Sequence, residues 1–287
     1  MTQAPKFSVG KIYASIVKDA FLNAVNISKI KRDRAQVLSD YEPSWKRAKG
    51  DVLKKNYKYR PMFFNGKPVM LRRIDYMKFS LEKLSEEISK IKAESVLELG
   101  SGDGFVTLAM AVMHPEVKIF RGIDLTESGI ETATHNLSNP PIEALSFVSG
   151  LDAEVVRERI SGRDIKFVRG DMLSLPFEEN SFDTVFSRLA IEQIPDSYPS
   201  VFKEARRVAK IRAVFLEEFL EAQKNIFQRM HLKNRDFFRA SFKEVERAGF
   251  KVEKFEALGL GKIEFTIGML VCSPGGPNDF SAQSEVI

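Results

Sequence analysis

The run Val96-Leu97-Glu98-Leu99-Gly100-Ser101-Gly102-Asp103-Gly104 constrains this chain more than any other stretch. Val96 to Leu99 reads as a short buried strand, and the glycines break it before an apolar helical run, Phe105 to Met113. Glycine permits a positive φ in a tight strand-to-helix turn and, without a Cβ, lets the backbone approach a ligand. A helix that begins just past such a turn aims unpaired N–H groups and a partial positive charge at that ligand. The bland alternative is a glycine turn that only joins strand to helix. The spacing G-x-G-x-G also departs from the dinucleotide pattern G-x-G-x-x-G, since Phe105 stands where the third glycine would be needed.

Further strand ends follow in register. Val117 to Ile123 reads as a second strand ending at Asp124, where a carboxylate can accept both hydroxyls of a ribose. Thr126 can cap the next helix, Ser128 to Leu137. Ile165 to Gly170 is a third strand, followed by Asp171-Met172 and by Leu175-Pro176-Phe177. Phe147-Val148-Ser149-Gly150 mimics that strand end within the connection 138–164, where Ala153 to Ile160 has room for a helical turn or two. Phe182 to Ser187 is the fourth strand, Val201 to Ala209 a helix, and Ala213 to Glu217 the fifth strand. Ser241 to Gly249 reads as a glycine-capped helix, with Phe250–Ala257 and Ile263–Cys272 as a final antiparallel pair.

Glu98 to Gly104 is similar to the E/D-x-G-x-G-x-G motif of the class I S-adenosylmethionine-dependent methyltransferases. Asp124 matches that family's second acid. The run from Gly170 to Ser187 resembles its pattern G-D-x-x-x-L-P-F-x-x-x-S-F-D-x-V-x-S, in the small-molecule, methyltransferase type 11-like branch. The resemblance covers residues 93–273. It implies an α/β fold: a Rossmann-like, seven-stranded, mostly parallel sheet with an antiparallel final strand and helices on both faces. It also implies S-adenosylmethionine as cofactor. Glu98, Gly100, Ser101, Gly102 and Gly104 would surround the methionine half, with Asp124 and Leu125 at the ribose. Asp171 would face the adenine amino group, the Met172 N–H the ring, and Arg188 would belong to the same site.

Two departures matter. The Asn/Asp-Pro-Pro-aromatic tetrapeptide of enzymes that methylate exocyclic amines is missing from Arg188 to Asp196. Ala209-Lys210-Ile211-Arg212 replaces the usual Lys-Pro-Gly-Gly turn and leaves the start of strand five open.

Residues 1–95 carry 21 Lys and Arg against 10 Asp and Glu, while the remainder is net acidic. That first third also holds five of the six tyrosines and Trp45, the only tryptophan. This composition marks 1–92 as a mainly helical, basic and aromatic lid, ahead of a cofactor-binding domain over 93–273 and a loose tail over 274–287. Lys11 to Ile30 has a helical apolar stripe suited to docking, and Ile74 to Ile91 reads as a helix. Aromatic and basic residues interleave over 41–73, broken by Pro43, Pro61, Asn65-Gly66 and Pro68. They would suit an anionic or aromatic substrate, or a lid with its lysines in solvent.

Tyr57, Tyr59 and Glu192 are the candidate substrate contacts, and Glu192, Glu218 and His231 the candidate catalytic groups. Glu217 and Glu218 adjoin, so only one can face the cleft. His231 lies in a polar helical stretch that reads as solvated. An acceptor that arrives deprotonated needs no base.

No stretch reaches about 18 consecutive apolar residues, so no membrane span is expected. A signal-peptide pattern is missing, and a lone Cys272 fits a reducing, cytoplasmic setting. His114, His135 and His231 are scattered, so no metal site is expected. The expected function is methyl transfer by in-line displacement to a small-molecule acceptor, whether at O, N, S or C. The alternatives are an RNA-modifying methyltransferase using the basic N-terminal region, and an inactive S-adenosylmethionine-binding partner protein. Nucleic acid is the less favoured partner, and a homodimer stays open.

Overall fold

The computed structural model describes residues 7–24, 32–48, 57–237 and 241–275. The expected continuation of the first helix to Ile30 and the tail beyond residue 275 lie outside the described residues.

A single nine-stranded sheet forms the centre, in the order β2-β1-β8-β9-β7-β6-β3-β4-β5. Its parallel heart is β3 (Ser95–Leu99), β4 (Ile119–Asp124), β5 (Asp164–Arg169), β6 (Phe182–Arg188) and β7 (Ala209–Glu217). Strand β9 (Phe265–Pro274) runs antiparallel between β7 and β8 (Phe250–Lys262). These seven strands reproduce the expected sheet with its antiparallel final strand. Strand β7 starts at Ala209, directly after the preceding helix and without a glycine turn. Strand β6 is buried along nearly its whole length, as a strand covered on both faces should be.

The remaining two strands come from the N-terminal region. Residues β1 (Tyr59–Phe64) and β2 (Lys67–Arg72) form a hairpin whose turn, Asn65-Gly66, holds φ of 51° and 73°. Two positive φ values in succession are what a two-residue hairpin turn requires. Met62 and Phe63 pair with Lys262 and Gly261 of β8, and the Gly66 N–H donates to the Gly259 carbonyl at 3.0 Å. The N-terminal region is therefore part sheet, not only helix.

The helices are α1 (Val9–Ala24), α2 (Arg34–Ala48), α3 (Arg73–Ser89), α4 (Phe105–Met113) and α5 (Glu127–Ser138). After them come α6 (Ile142–Ser149), α7 (Ala153–Ile160), α8 (Tyr198–Val208), α9 (Ile226–Asn234) and α10 (Phe242–Arg247). Phe147-Val148-Ser149 is helical, so its likeness to a strand end is accidental. One apolar core joins the sheet to α3, α4, α6 and α7, and a second joins the other face to α8 and α10. Helix α1 docks on α9 by stacking Tyr13 on Phe227 at 4.5 Å. Among the described residues, no helix is long and apolar enough to cross a membrane.

Two motif residues turn out to brace the sheet. Asp183 accepts the N–H groups of Glu94 and Ser95 at 2.8 and 3.1 Å, which fixes the entry to β3. Glu204 of α8 accepts the Leu175 N–H at 2.7 Å, and Arg207 donates to the carbonyls of Phe177 and Leu175. Together they pin the Leu-Pro-Phe loop.

Candidate active site

The glycine turn leaves β3 at Gly100 and enters α4 at Gly104, with φ of 72°, 51° and 73° at Gly100, Gly102 and Gly104. Left-handed backbone costs an ordinary residue roughly 1–2 kcal/mol. Space is lacking as well: a Cβ on Gly100 would lie 2.4 Å from that of Ala190, and one on Gly102 2.6 Å from Trp45 Cζ2. The Gly100 and Ser101 N–H groups hang the turn from the Ile123 carbonyl at 2.8 and 2.9 Å.

Asp124 closes β4 beside this turn. One oxygen accepts the Gly102 N–H at 2.8 Å; the other accepts the Thr126 N–H and hydroxyl at 2.9 and 2.6 Å. Thr126 in turn caps α5 by accepting the Gly129 N–H. Past β5, Asp171 accepts the Leu173 N–H at 3.0 Å and meets the Arg34 guanidinium at 3.2 Å. Gly100, Asp124, Leu125, Asp171 and Met172 line one wall of a cleft holding about 620 Å³ of space, its solvent-facing part included.

The opposite wall is α2. Val37, Tyr41 and Trp45 face the cleft at a spacing of four, one stripe of a helix. Glu42 fastens this helix across the cleft by accepting the Glu127 and Ser128 N–H groups at 2.8 and 3.1 Å, at the positive end of α5. Burial works against the Glu42 charge, but the hydrogen bonds from Ser128 and Glu127 prevail and hold its carboxyl below the usual range.

Beneath the turn lies a charged hole. Glu98 is buried and accepts the Thr107 hydroxyl. Burial, reinforced by the charge of Asp103, pushes its carboxyl up to about 8 despite that hydrogen bond. Arg188 donates to Ser80 Oγ at 3.0 Å, lies 5.2 Å over the Tyr76 ring, and keeps its Nη2 buried with no hydrogen-bond partner among the described residues. Burial and the charge of Arg188 lower the Arg73 guanidinium beside it.

Leu189 carries φ of 52° where β6 ends, a strained conformation for a branched side chain, and it lines the cleft. Three buried carboxyls follow. Glu217 is tied to this bend, accepting the Ser187 hydroxyl at 2.7 Å and the Ala190 and Ile191 N–H groups at 3.2 and 3.4 Å. Glu218, fully buried on the next residue, faces Glu192 instead. Burial raises both Glu192 and Glu218. Tyr41 and Tyr76 are each pushed up, first by burial and then by the charges of Glu192 and Glu218.

His231 stands apart from the carboxyls. It lies 6.2 Å from the Phe265 ring and 6.0 Å from Phe237, so it is shielded by aromatics where the sequence suggested solvent. Burial, then Arg235 and Lys262, lower its pKa to about 4. The structure does not bring Tyr57 and Tyr59 into the cleft wall. Tyr57 packs 5.4 Å under Arg72, and Tyr59 is exposed at the start of the hairpin. Tyr41 and Trp45, aromatics of the same basic stretch, take that place. Among the described residues no three His, Cys, Asp or Glu side chains converge as a metal site.

The strand ends, the glycine turn and the Leu-Pro-Phe loop fall within residues 97–216, and this span matches the family described as a methyltransferase domain. Residues 97–216 resemble a methyltransferase domain. A demethylmenaquinone methyltransferase of Staphylococcus aureus is 26% identical over 129 residues, which cover 45% of this chain and 44% of that protein. The chain thus spans less than half the length of the curated relatives it matches. Magnesium protoporphyrin IX methyltransferase from Synechocystis, solved with S-adenosylhomocysteine bound, shares the fold with a TM-score of 0.55 at 14% identity, covering 85% of this chain and 100% of that one. The cyclase SpnF shares it with a TM-score of 0.57 at 14% identity, covering 86% and 98%. A methyltransferase domain fold therefore also carries a cyclase.

Proposed function

We propose that the protein transfers a methyl group from S-adenosylmethionine to a small-molecule acceptor by direct in-line displacement. One observation carries this reading: three adjacent strands, β3, β4 and β5, deliver the glycine turn, Asp124 and Asp171 to a single cleft. The residues fit the cofactor. Arg188, with its orphaned Nη2, and Arg73 would hold the amino-acid carboxylate, and Asp103 the ammonium. Asp124 would take the ribose hydroxyls, and Asp171 and the Met172 N–H the adenine.

The bound cofactor supplies a methyl already activated on a sulfonium. The protein's own work is to orient the acceptor and exclude water. Helix α2 does both, with Val37, Tyr41 and Trp45 roofing the cleft and Glu42 latching it to α5. An aromatic acceptor suits that roof. The curated relative named above is likewise named for a quinone.

Calorimetry with S-adenosylhomocysteine tests the reading. We expect micromolar affinity, reduced about tenfold or more by Asp124→Asn, since one lost hydrogen bond from a charged group is worth about 1.5–3 kcal/mol. No binding to the wild-type chain would refute it.

A further inference from the structure

Glu192 and Glu218 sit directly behind the floor of the cleft. Gln193 lines the cleft and donates its Nε2 to Glu192 at 2.7 Å, so one hydrogen bond links Glu192 to the cleft wall. Among the described residues, no donor reaches either oxygen of Glu218 or the second oxygen of Glu192. Glu218 has no exposed surface, and Glu192 is 7% exposed. Two adjoining buried carboxyls cannot both ionise, because the Coulomb repulsion adds to two desolvation costs. They are also within hydrogen-bond reach of each other. Buried acceptors without donors are rare in folded proteins, and a proton held between the two carboxyls would satisfy part of this need.

The charged and titratable groups that act on the pair are Arg32 ahead of α2, Tyr41 on α2, Tyr76 on α3, Glu217 at the end of β7, and Lys262 at the end of β8. Burial outweighs the cations, and both carboxyls are raised.

We propose that Glu192 and Glu218 share one proton and form the proton acceptor of the reaction, so that the methyl acceptor is a hydroxyl or amino compound that arrives carrying its proton. This rests on the methyltransferase reading above. In the step, a lone pair of the acceptor oxygen or nitrogen forms the new bond to the methyl carbon. The carbon–sulfur bond breaks, and its electrons stay on sulfur. The acceptor's proton passes to the ionised member of the pair. The pair goes from one proton to two, and the positive charge of the sulfonium disappears.

Two measurements on the full chain with S-adenosylhomocysteine or S-adenosylmethionine bound test this. The first is an infrared difference spectrum at neutral pH between the wild type and Glu218→Gln, whose amide mimics the protonated partner. Loss of one carboxylic-acid carbonyl band is expected. Loss of ionised carboxylate bands instead would overturn the shared proton.

The second follows radiolabelled methyl transfer to catechol and to aniline across pH. Glu218→Gln should slow transfer to the better probe about 100-fold or more and abolish the ionisation in the rate profile, as loss of a general base does. Its affinity for S-adenosylhomocysteine should stay within about twofold of wild type. Equal rates in both proteins, or a rate and an affinity that fall together, would overturn the role. No transfer from the wild type to either probe, with the nucleoside bound, would overturn the acceptor class. Failure of the wild type to bind the nucleoside refutes the methyltransferase reading instead, and leaves the spectrum to judge the pair.

Discussion

The indole of Trp45 covers Gly102 so closely that a single added carbon on the glycine would meet Trp45 Cζ2 at 2.6 Å. The roof and the glycine turn therefore close as one unit. Gly102→Ala should lower S-adenosylhomocysteine affinity at least tenfold, because both the positive φ and the contact oppose a Cβ. Adding Trp45→Ala to it should recover part of that loss. Equal affinities in the single and double variants would separate the two residues.

Asp171 already holds a cation, Arg34, at 3.2 Å on a side chain that is 64% exposed. An ion pair that open is worth about 0–1 kcal/mol. Arg34→Ala should therefore leave nucleoside affinity unchanged or slightly higher, by freeing the carboxylate. Asp171→Ala should weaken it by about 1.5–3 kcal/mol, the worth of a hydrogen bond to a charged group. Calorimetric titration of both variants checks the contrast, and equal losses would contradict it.

Glu42 ties α2 to the start of α5 through two backbone N–H groups. Glu42→Ala removes this cap, and caps are worth about 0.5–2 kcal/mol. Hydrogen exchange should quicken across residues 34–48 and stay unaltered in β3 and β6. Uniform protection in the variant would show that α2 is held by its aromatic face alone.

Glu98 and Glu217 are each raised to about 8, both chiefly by burial. A folded-state carboxyl above its unfolded value holds its proton more tightly when folded. Its stabilising effect is therefore complete below about 4.5 and is lost as pH rises toward 8. The melting temperature should fall over that window, and a Glu98→Gln/Glu217→Gln double variant should flatten the decline by an order of 1–3 kcal/mol. A parallel decline in the variant would place the pH sensitivity elsewhere.

His231 gives the opposite limb. Its folded pKa lies near 4, below the ordinary 6.5, so its contribution is present above 6.5 and lost as pH falls toward 4. His231→Phe, which suits the Phe265 and Phe237 surroundings, should reduce the loss of stability between pH 6.5 and 5 by about 1 kcal/mol. Thermal melts at the two pH values measure it.

What could be read ahead of the structure was whatever the chain encodes locally. The glycine turn, Asp124 and Asp171 each end a strand, and the strand-to-turn signals sit within a few residues of the side chain concerned. The N-terminal third was harder for specific reasons. Pro43 looks like a breaker, yet it lies inside α2, where the Val37-Tyr41-Trp45 stripe against the cleft outweighs one missing N–H. That four-residue spacing was the available signal for the cleft aromatics, and the charge and proline of the stretch hid it. Pro61 and Pro68 likewise masked a hairpin that Asn65-Gly66 announces. Whether Glu217 or Glu218 faces Glu192 depends on the bend at Leu189, which is set by tertiary packing and has no local signature.

The hairpin at the sheet's margin reaches further than its size suggests. By pairing Met62 with Lys262, it fixes the backbone that carries an ammonium whose positive charge opposes the raised affinity of Glu192 and Glu218 for protons, and which also lowers that of His231. A slipped register in a two-residue turn would thus retune acid–base behaviour deep inside the molecule without altering any side chain there. Sequence drift along this outer ribbon would then act as a remote adjustment of the working pH.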